Sequence, residues 1–139
     1  MRPRNSVSET NKAGTVVFIV DDDDDVRDGF TRLIRSAGMQ ALAYASAERF
    51  LLELDVSRRG CLLLDLTMPG MTGQLALSRL KQMGSQLPVI VVSARDDEMM
   101  RAVVRELGAK MFLRKPVDDQ ALLDAIQWAA ASPLDVGSA

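Results

Sequence analysis

Short unbroken apolar runs recur along the chain, and segments of helical periodicity separate them. Val16–Val20, Cys61–Leu64 and Val89–Val92 are runs of aliphatic, β-branched, aromatic or thiol side chains with no polar interruption. Such runs predict strands buried on both faces. The first is predicted over Thr15–Val20, the third over Cys61–Asp65, and the fourth from Val89 to an end at Ser93. Gln40–Tyr44 and Ala109–Leu113 are weaker candidates for the second and fifth. Between them, Val26, Phe30, Leu33, Ile34 and Ala37 recur at the spacing of one helical face, with Asp24 or Asp25 as N-cap and Gly38 as stop. Ser46 opens a second helix carrying Ala47, Phe50, Leu51 and Leu54, with Glu48 and Arg49 solvated. Leu75, Leu77, Leu80 and Met83 suggest a third, closed by Gly84. Asp96 and Asp97 lead a fourth to Leu107, closed by Gly108. Asp118 or Asp119 starts a fifth through Leu122, Leu123, Ile126 and Ala130. Strand and helix thus alternate five times, which predicts an α/β, doubly wound parallel sheet with helices on both faces. In such sheets the site lies beyond the carboxyl ends of the strands.

Composition narrows the chemistry. The chain has 139 residues, 47% of them apolar and 26% charged, enough for one ordinary domain with a real core. The polar stretch 1–14 reads as a disordered N-terminal tail, and the small-residue stretch 132–139 as a C-terminal tail or linker stub. The net charge of −2 argues against direct nucleic acid binding by this chain. No apolar run is long enough for a membrane span. There is no histidine, which excludes Ser-His-Asp and Cys-His units and histidine metal ligation. Cys61 is the only cysteine, so no intramolecular disulfide forms; its apolar setting predicts a buried structural thiol in a reducing cytoplasm.

Candidate chemistry stands at the strand ends: Asp21 and Asp22 after the first, Asp65 after the third, Ser93 after the fourth, and Lys115 just past the fifth. Two carboxylates about 4 Å apart repel by roughly 4 kcal/mol at an effective dielectric near 20. Such a cluster must be solvated, protonated or holding a cation. With oxygen ligands alone, that cation is a hard one such as Mg²⁺. Asp65 is then a candidate nucleophile for a phosphoryl group, with Lys115 and Ser93 to receive the phosphoryl oxygens. Asp23, Asp24 and Asp25 read as turn and helix start, and Phe112, taken alone, reads as an ordinary core aromatic of a strand. An EF-hand alignment of the acidic run fails, because it puts Val26 and Arg35 at ligand positions.

IVDDDDDVRDGF (19–30), LLLDLTMPGMTG (62–73), PVIVVSARDD (88–97) and FLRKP (112–116) together resemble the receiver (CheY-like) domain of bacterial two-component response regulators. The intervals match as well: 44 residues from Asp21 to Asp65, 28 to Ser93 and 22 to Lys115. SAERFL (46–51) and DDQALLDAI (118–126) are most similar to receivers that precede a LuxR-type helix-turn-helix. The resemblance implies a flavodoxin-like (βα)5 three-layer sandwich with a parallel sheet of order 2-1-3-4-5, over residues 15–131. It implies Asp65 as phosphoacceptor from a sensor histidine kinase, with phosphotransfer and slow dephosphorylation catalysed by the receiver itself. It implies Mg²⁺ held by Asp22, Asp65 and the Thr67 backbone carbonyl, with Asp21 acting through water, and Ser93 and Lys115 on the phosphoryl group. Ser93 and Phe112 would form the switch. A homodimer could form through the fourth helix, fifth strand and fifth helix. The resemblance also implies a cis Lys115–Pro116 peptide. Ser93 stands where threonine is commoner and Val117 where phenylalanine is frequent; neither removes a required group. Two other readings compete: a receiver-fold interaction module that works without phosphorylation, and an aspartyl-phosphate hydrolase, for which the chain offers no cap insertion.

Overall fold

The structure, a computed structural model, describes residues 15–95 and 97–131. The two predicted tails and Asp96 lie outside the described residues. The elements in chain order are β1 (Val16–Val20), α1 (Asp24–Ser36), β2 (Gln40–Tyr44), α2 (Ala47–Glu53), β3 (Gly60–Asp65), α3 (Gly73–Gln82), β4 (Val89–Ser93), α4 (Glu98–Glu106), β5 (Met111–Arg114) and α5 (Asp119–Ala131). All four strand pairings are parallel, in the order β2-β1-β3-β4-β5. The three central strands β1, β3 and β4 are the uninterrupted apolar runs. The edge strands β2 and β5 carry more exposed positions, and this is why their patterns were weaker.

Strand alternation divides the core into two layers. Val16, Phe18, Val20, Leu62, Leu64, Val89 and Val91 meet α2, α3 and α4 through Ala47, Phe50, Ala76, Leu77, Leu80 and Val104. Val17, Ile19, Cys61, Leu63, Ile90 and Val92 meet α1 and α5 through Ile34, Leu122, Ala125, Ile126 and Ala129. Fully burying side chains of this kind contributes about 1.5–3 kcal/mol each. Gly60 is required at the start of β3, because its φ is +145° and a Cβ there would lie 1.8 Å from the Val16 carbonyl oxygen.

Several local expectations need correction. Asp23, not Asp24 or Asp25, caps α1: it is extended, and its carboxylate accepts from the Asp25 and Val26 N–H groups. The inward face of α3 is Gly73, Ala76, Leu77 and Leu80, a 3-4-7 spacing, and Leu75 and Met83 are exposed. On α5, Ala129 rather than Ala130 completes the buried stripe. β5 runs to Arg114, closer to Lys115 than predicted. Glu48 is not simply solvated: its Oε2 accepts from the Met71 N–H at 3.1 Å. Ser46, Thr72 and Asp97 cap α2, α3 and α4, and the Lys115–Pro116 peptide is cis.

Candidate phosphoryl and metal site

Each candidate residue stands at the end of the element that positions it. β1 ends at Val20, so Asp21 leaves the sheet still buried, at 2% exposure. Its backbone is held on two sides: its N–H donates to the Tyr44 carbonyl at 3.2 Å, and its carbonyl accepts from the Arg27 guanidinium at 2.8 Å. Both of its carboxylate oxygens are engaged, one by the Asp23 N–H at 2.9 Å and the other by Lys115 Nζ at 2.8 Å. Asp22, the next residue, points to an exposed position. Asp65 is the last residue of β3 and is buried, with Lys115 Nζ 3.5 Å from its Oδ1. Carboxylate oxygens of Asp21, Asp22 and Asp65 lie within 4.8 Å of one another.

This geometry sets the electrostatics. Burial, then the Asp21 carboxylate, pushes the Asp65 carboxyl up to about 6; Lys115 and a backbone hydrogen bond at Thr67 oppose that rise, and Asp22 adds to it. Burial pulls the Lys115 ammonium down, but its hydrogen bond to Asp21 and the charges of Asp65 and Asp21 outweigh it, leaving it above the ordinary lysine value. Lys115 is therefore a fixed positive charge between two carboxylates. It reaches them from beyond β5, and its backbone N–H is anchored on the Ser93 carbonyl at 2.9 Å.

The donor set suits a hard divalent cation. It is all oxygen, it combines buried with exposed carboxylates, and the exposed Asp22 leaves room for retained waters, as Mg²⁺ requires. Burial in the core has a different result at Cys61, whose thiol is pushed up to about 12 and is inert.

Ser93 is buried at the end of β4, and its Oγ accepts from the Arg95 N–H at 3.1 Å, closing a small turn. A cavity of about 190 Å³ opens between it and Thr67, with Gln74, Arg95 and Met100 along the wall. Phe112 lies in β5 opposite Val91 and is half-buried against the layer under α4. On the other side, a groove of about 860 Å³ runs between α1 and the segment after β5, bounded by Phe30, Leu33, Pro116 and Val117 and reaching Lys115.

Asp21, Asp22, Asp65 and Lys115 are thus brought together, with Ser93 and Thr67 beside them. Sequence reasoning missed the supporting residues. Arg27 braces the Asp21 carbonyl and also pairs with Asp24. Glu48 ties down the loop after Asp65. Gly73 packs so closely that a Cβ there would lie 2.7 Å from the Asp65 carbonyl oxygen. The two glycines of the 68–73 loop were a signal for such close approach; Arg27 and Glu48 had none, because a charged residue on a helix is usually solvated.

Residues 17–127 match the response regulator receiver domain family. The chain is 37% identical over 113 residues to the response regulator protein TodT of Pseudomonas putida, covering 81% of this chain and 50% of that protein. It is 39% identical over 125 residues to the transcriptional regulatory protein TdiR of Thauera aromatica, covering 89% of this chain and 54% of that protein. The chain therefore spans about half the length of these curated relatives. Among solved structures, response regulator StyR superposes with a TM-score of 0.83 at 36% identity, over 91% of this chain and 64% of that one. The chemotaxis protein CheY4 of Vibrio cholerae, at 22% identity and a TM-score of 0.79 over 84% of this chain and 99% of that one, shares the fold. The family match covers the four motifs and reaches from within β1 past β5, and the chain belongs to the receiver domain family of two-component response regulators.

Proposed function

We propose that this receiver accepts a phosphoryl group on Asp65 from the phosphohistidine of a sensor histidine kinase and uses it to switch the face formed by α4, β5 and α5. Response regulator receivers are phosphorylated by sensor histidine kinases. The observation that carries the reading is the placement of the Asp65 carboxylate 3.5 Å from Lys115 Nζ, within a group of three carboxylates. In the transfer, the N–P bond of phosphohistidine breaks and a bond from Asp65 Oδ to phosphorus forms. The departing imidazole nitrogen keeps the bonding pair and takes up a proton. Lys115 faces the developing charge on the phosphoryl oxygens, and Ser93 donates to one of them once its hydroxyl leaves the Arg95 N–H.

Asp22, Asp65 and the Thr67 carbonyl would hold Mg²⁺, with Asp21 acting through water because both its oxygens are already engaged. The ion would supply positive charge to offset the repulsion between carboxylate and incoming phosphoryl group. The groove beside α1 is continuous with Lys115, which supports its use as the seat of the kinase's phosphohistidine segment. The chain catalyses its own phosphorylation and slow dephosphorylation and is not a free-standing enzyme. Met99 and Val103 are exposed apolar residues four apart on one face of α4, which supports a phosphorylation-dependent homodimer through α4, β5 and α5. The relative TdiR, named as a transcriptional regulatory protein, supports a role upstream of transcription; the net charge of −2 supports the absence of direct DNA contact by this chain, and its single buried cysteine fits a place in the cytoplasm.

The test is incubation with Mg²⁺ and acetyl phosphate, read by intact mass. Wild type is expected to gain one phosphoryl group and Asp65→Asn none. Equal uptake by Asp65→Asn overturns the assignment. No uptake by wild type points to a phosphorylation-independent interaction module, and turnover of an external phosphate ester points to a hydrolase.

A further inference from the structure

Phe112 is half-buried on the edge strand β5. It packs against the layer under α4, and the guanidinium carbon of Arg101, on α4 itself, lies over the ring, 5.0 Å from its centroid. That is within the reach of a cation–π contact. Neither residue is fully exposed, so water screens the contact less than it would at an open surface.

The sheet register gives this contact a role. Val89 and Val91 face the layer beneath α4, and alternation sends Ser93 to the same side. Val91 pairs with Phe112 and Ser93 with Arg114, so Phe112 stands diagonally behind Ser93 on the face that α4 covers. Ser93 Oγ is bonded to the Arg95 N–H, in the segment leading into α4. Arg101 therefore covers the ring that must move if Ser93 turns towards a phosphoryl group, in a state where Ser93 has not turned.

We propose that Arg101 is a positioning residue of the switch. Its guanidinium, stacked on Phe112, clamps the ring in the resting orientation and sets how much of the receiver rests in the inactive state. The proposal rests on reading Phe112 as the switch aromatic. Any ligand that selects the active state must work against the clamp, so removing the clamp tightens that ligand's apparent binding. A contact of this class is worth a factor of about two to five in such an equilibrium.

The probe is beryllofluoride with Mg²⁺, titrated into the full chain and followed by the amide NMR signals of α4 and β5, with thermal melts confirming folded variants. Arg101→Met keeps the apolar stem and loses the charge; it is expected to bind about two- to five-fold tighter. Arg101→Lys is expected to restore most of the wild-type affinity. In a Phe112→Leu background, Arg101→Met is expected to have no effect. Unchanged affinity in Arg101→Met, or the same shift with and without the Phe112 ring, overturns the clamp while leaving the switch reading standing. If Phe112→Leu alone leaves the amide response of α4 and β5 unaltered, the switch reading falls and the clamp falls with it.

Discussion

Five consecutive aspartates do five different things, and neighbours rather than residue type decide which. Asp21 is buried between the Asp23 N–H and Lys115, Asp22 is exposed beside the carboxylate group, Asp23 caps a helix, Asp24 pairs with Arg27, and Asp25 sits in the first helical turn. Asp65 has the least comfortable position: its carboxyl is pushed up to about 6, first by burial and then by Asp21. A carboxyl whose folded value exceeds its unfolded one contributes stability that is complete below the unfolded value and is lost as pH rises through the folded value. The window here runs from about 4 to about 6. Without metal, Asp65→Asn is therefore expected to be more stable than wild type at about pH 8, with the difference fading towards about pH 4. Denaturant melts across that range check it, and a wild type that outlasts Asp65→Asn at the higher pH would contradict it.

At the scale of elements, each helix begins with a side chain that satisfies free N–H groups: Asp23, Ser46, Thr72 and Asp97 for α1 to α4, and Asp118, which accepts from the Ala121 N–H at 3.0 Å, for α5. These caps sit in the loops that follow the strands, so helix starts and site residues share the same short segments. Asp23 serves both, since its carboxylate caps α1 while its N–H holds Asp21. Replacing Asp23 by Ala removes only the cap and is expected to cost about 1 kcal/mol in denaturant melts. Asp25→Ala, which leaves the cap intact, is expected to cost clearly less, and equal losses would undo the assignment. That division was not legible from the sequence, where any of three adjacent aspartates satisfies the cap rule; the extended backbone at Asp23 selects it.

At the scale of the whole molecule, the site exists only when the sheet is assembled. β1 and β3 are neighbours, which brings Asp21 and Asp22 to Asp65, while Lys115 spans from beyond β5 to both. A cation bound by that set binds the native state alone and stabilises it by mass action. Mg²⁺ is accordingly expected to raise the melting temperature of wild type and to do so far less in Asp22→Ala. Calorimetric scans with and without Mg²⁺ decide it; an equal rise in both would remove Asp22 from the metal site.

Much of this was already present in one dimension. Buried strands declare themselves by unbroken apolar runs and helices by their 3.6 period, because both patterns are local consequences of backbone geometry. The strand-end rule then located Asp21, Asp22, Asp65, Ser93 and Lys115 on one rim. What only the tertiary structure decided was pairing and support. Leu75 and Ala76 can each be read as the inward residue until α3 is docked, and docking turned Ala76 in. Glu48 bonds to Met71, and Arg101 lies over Phe112, across segments with no local relation in the chain. Such contacts follow from how helices lie on the sheet, and a charged side chain on a helix surface carries no mark of the partner it will meet.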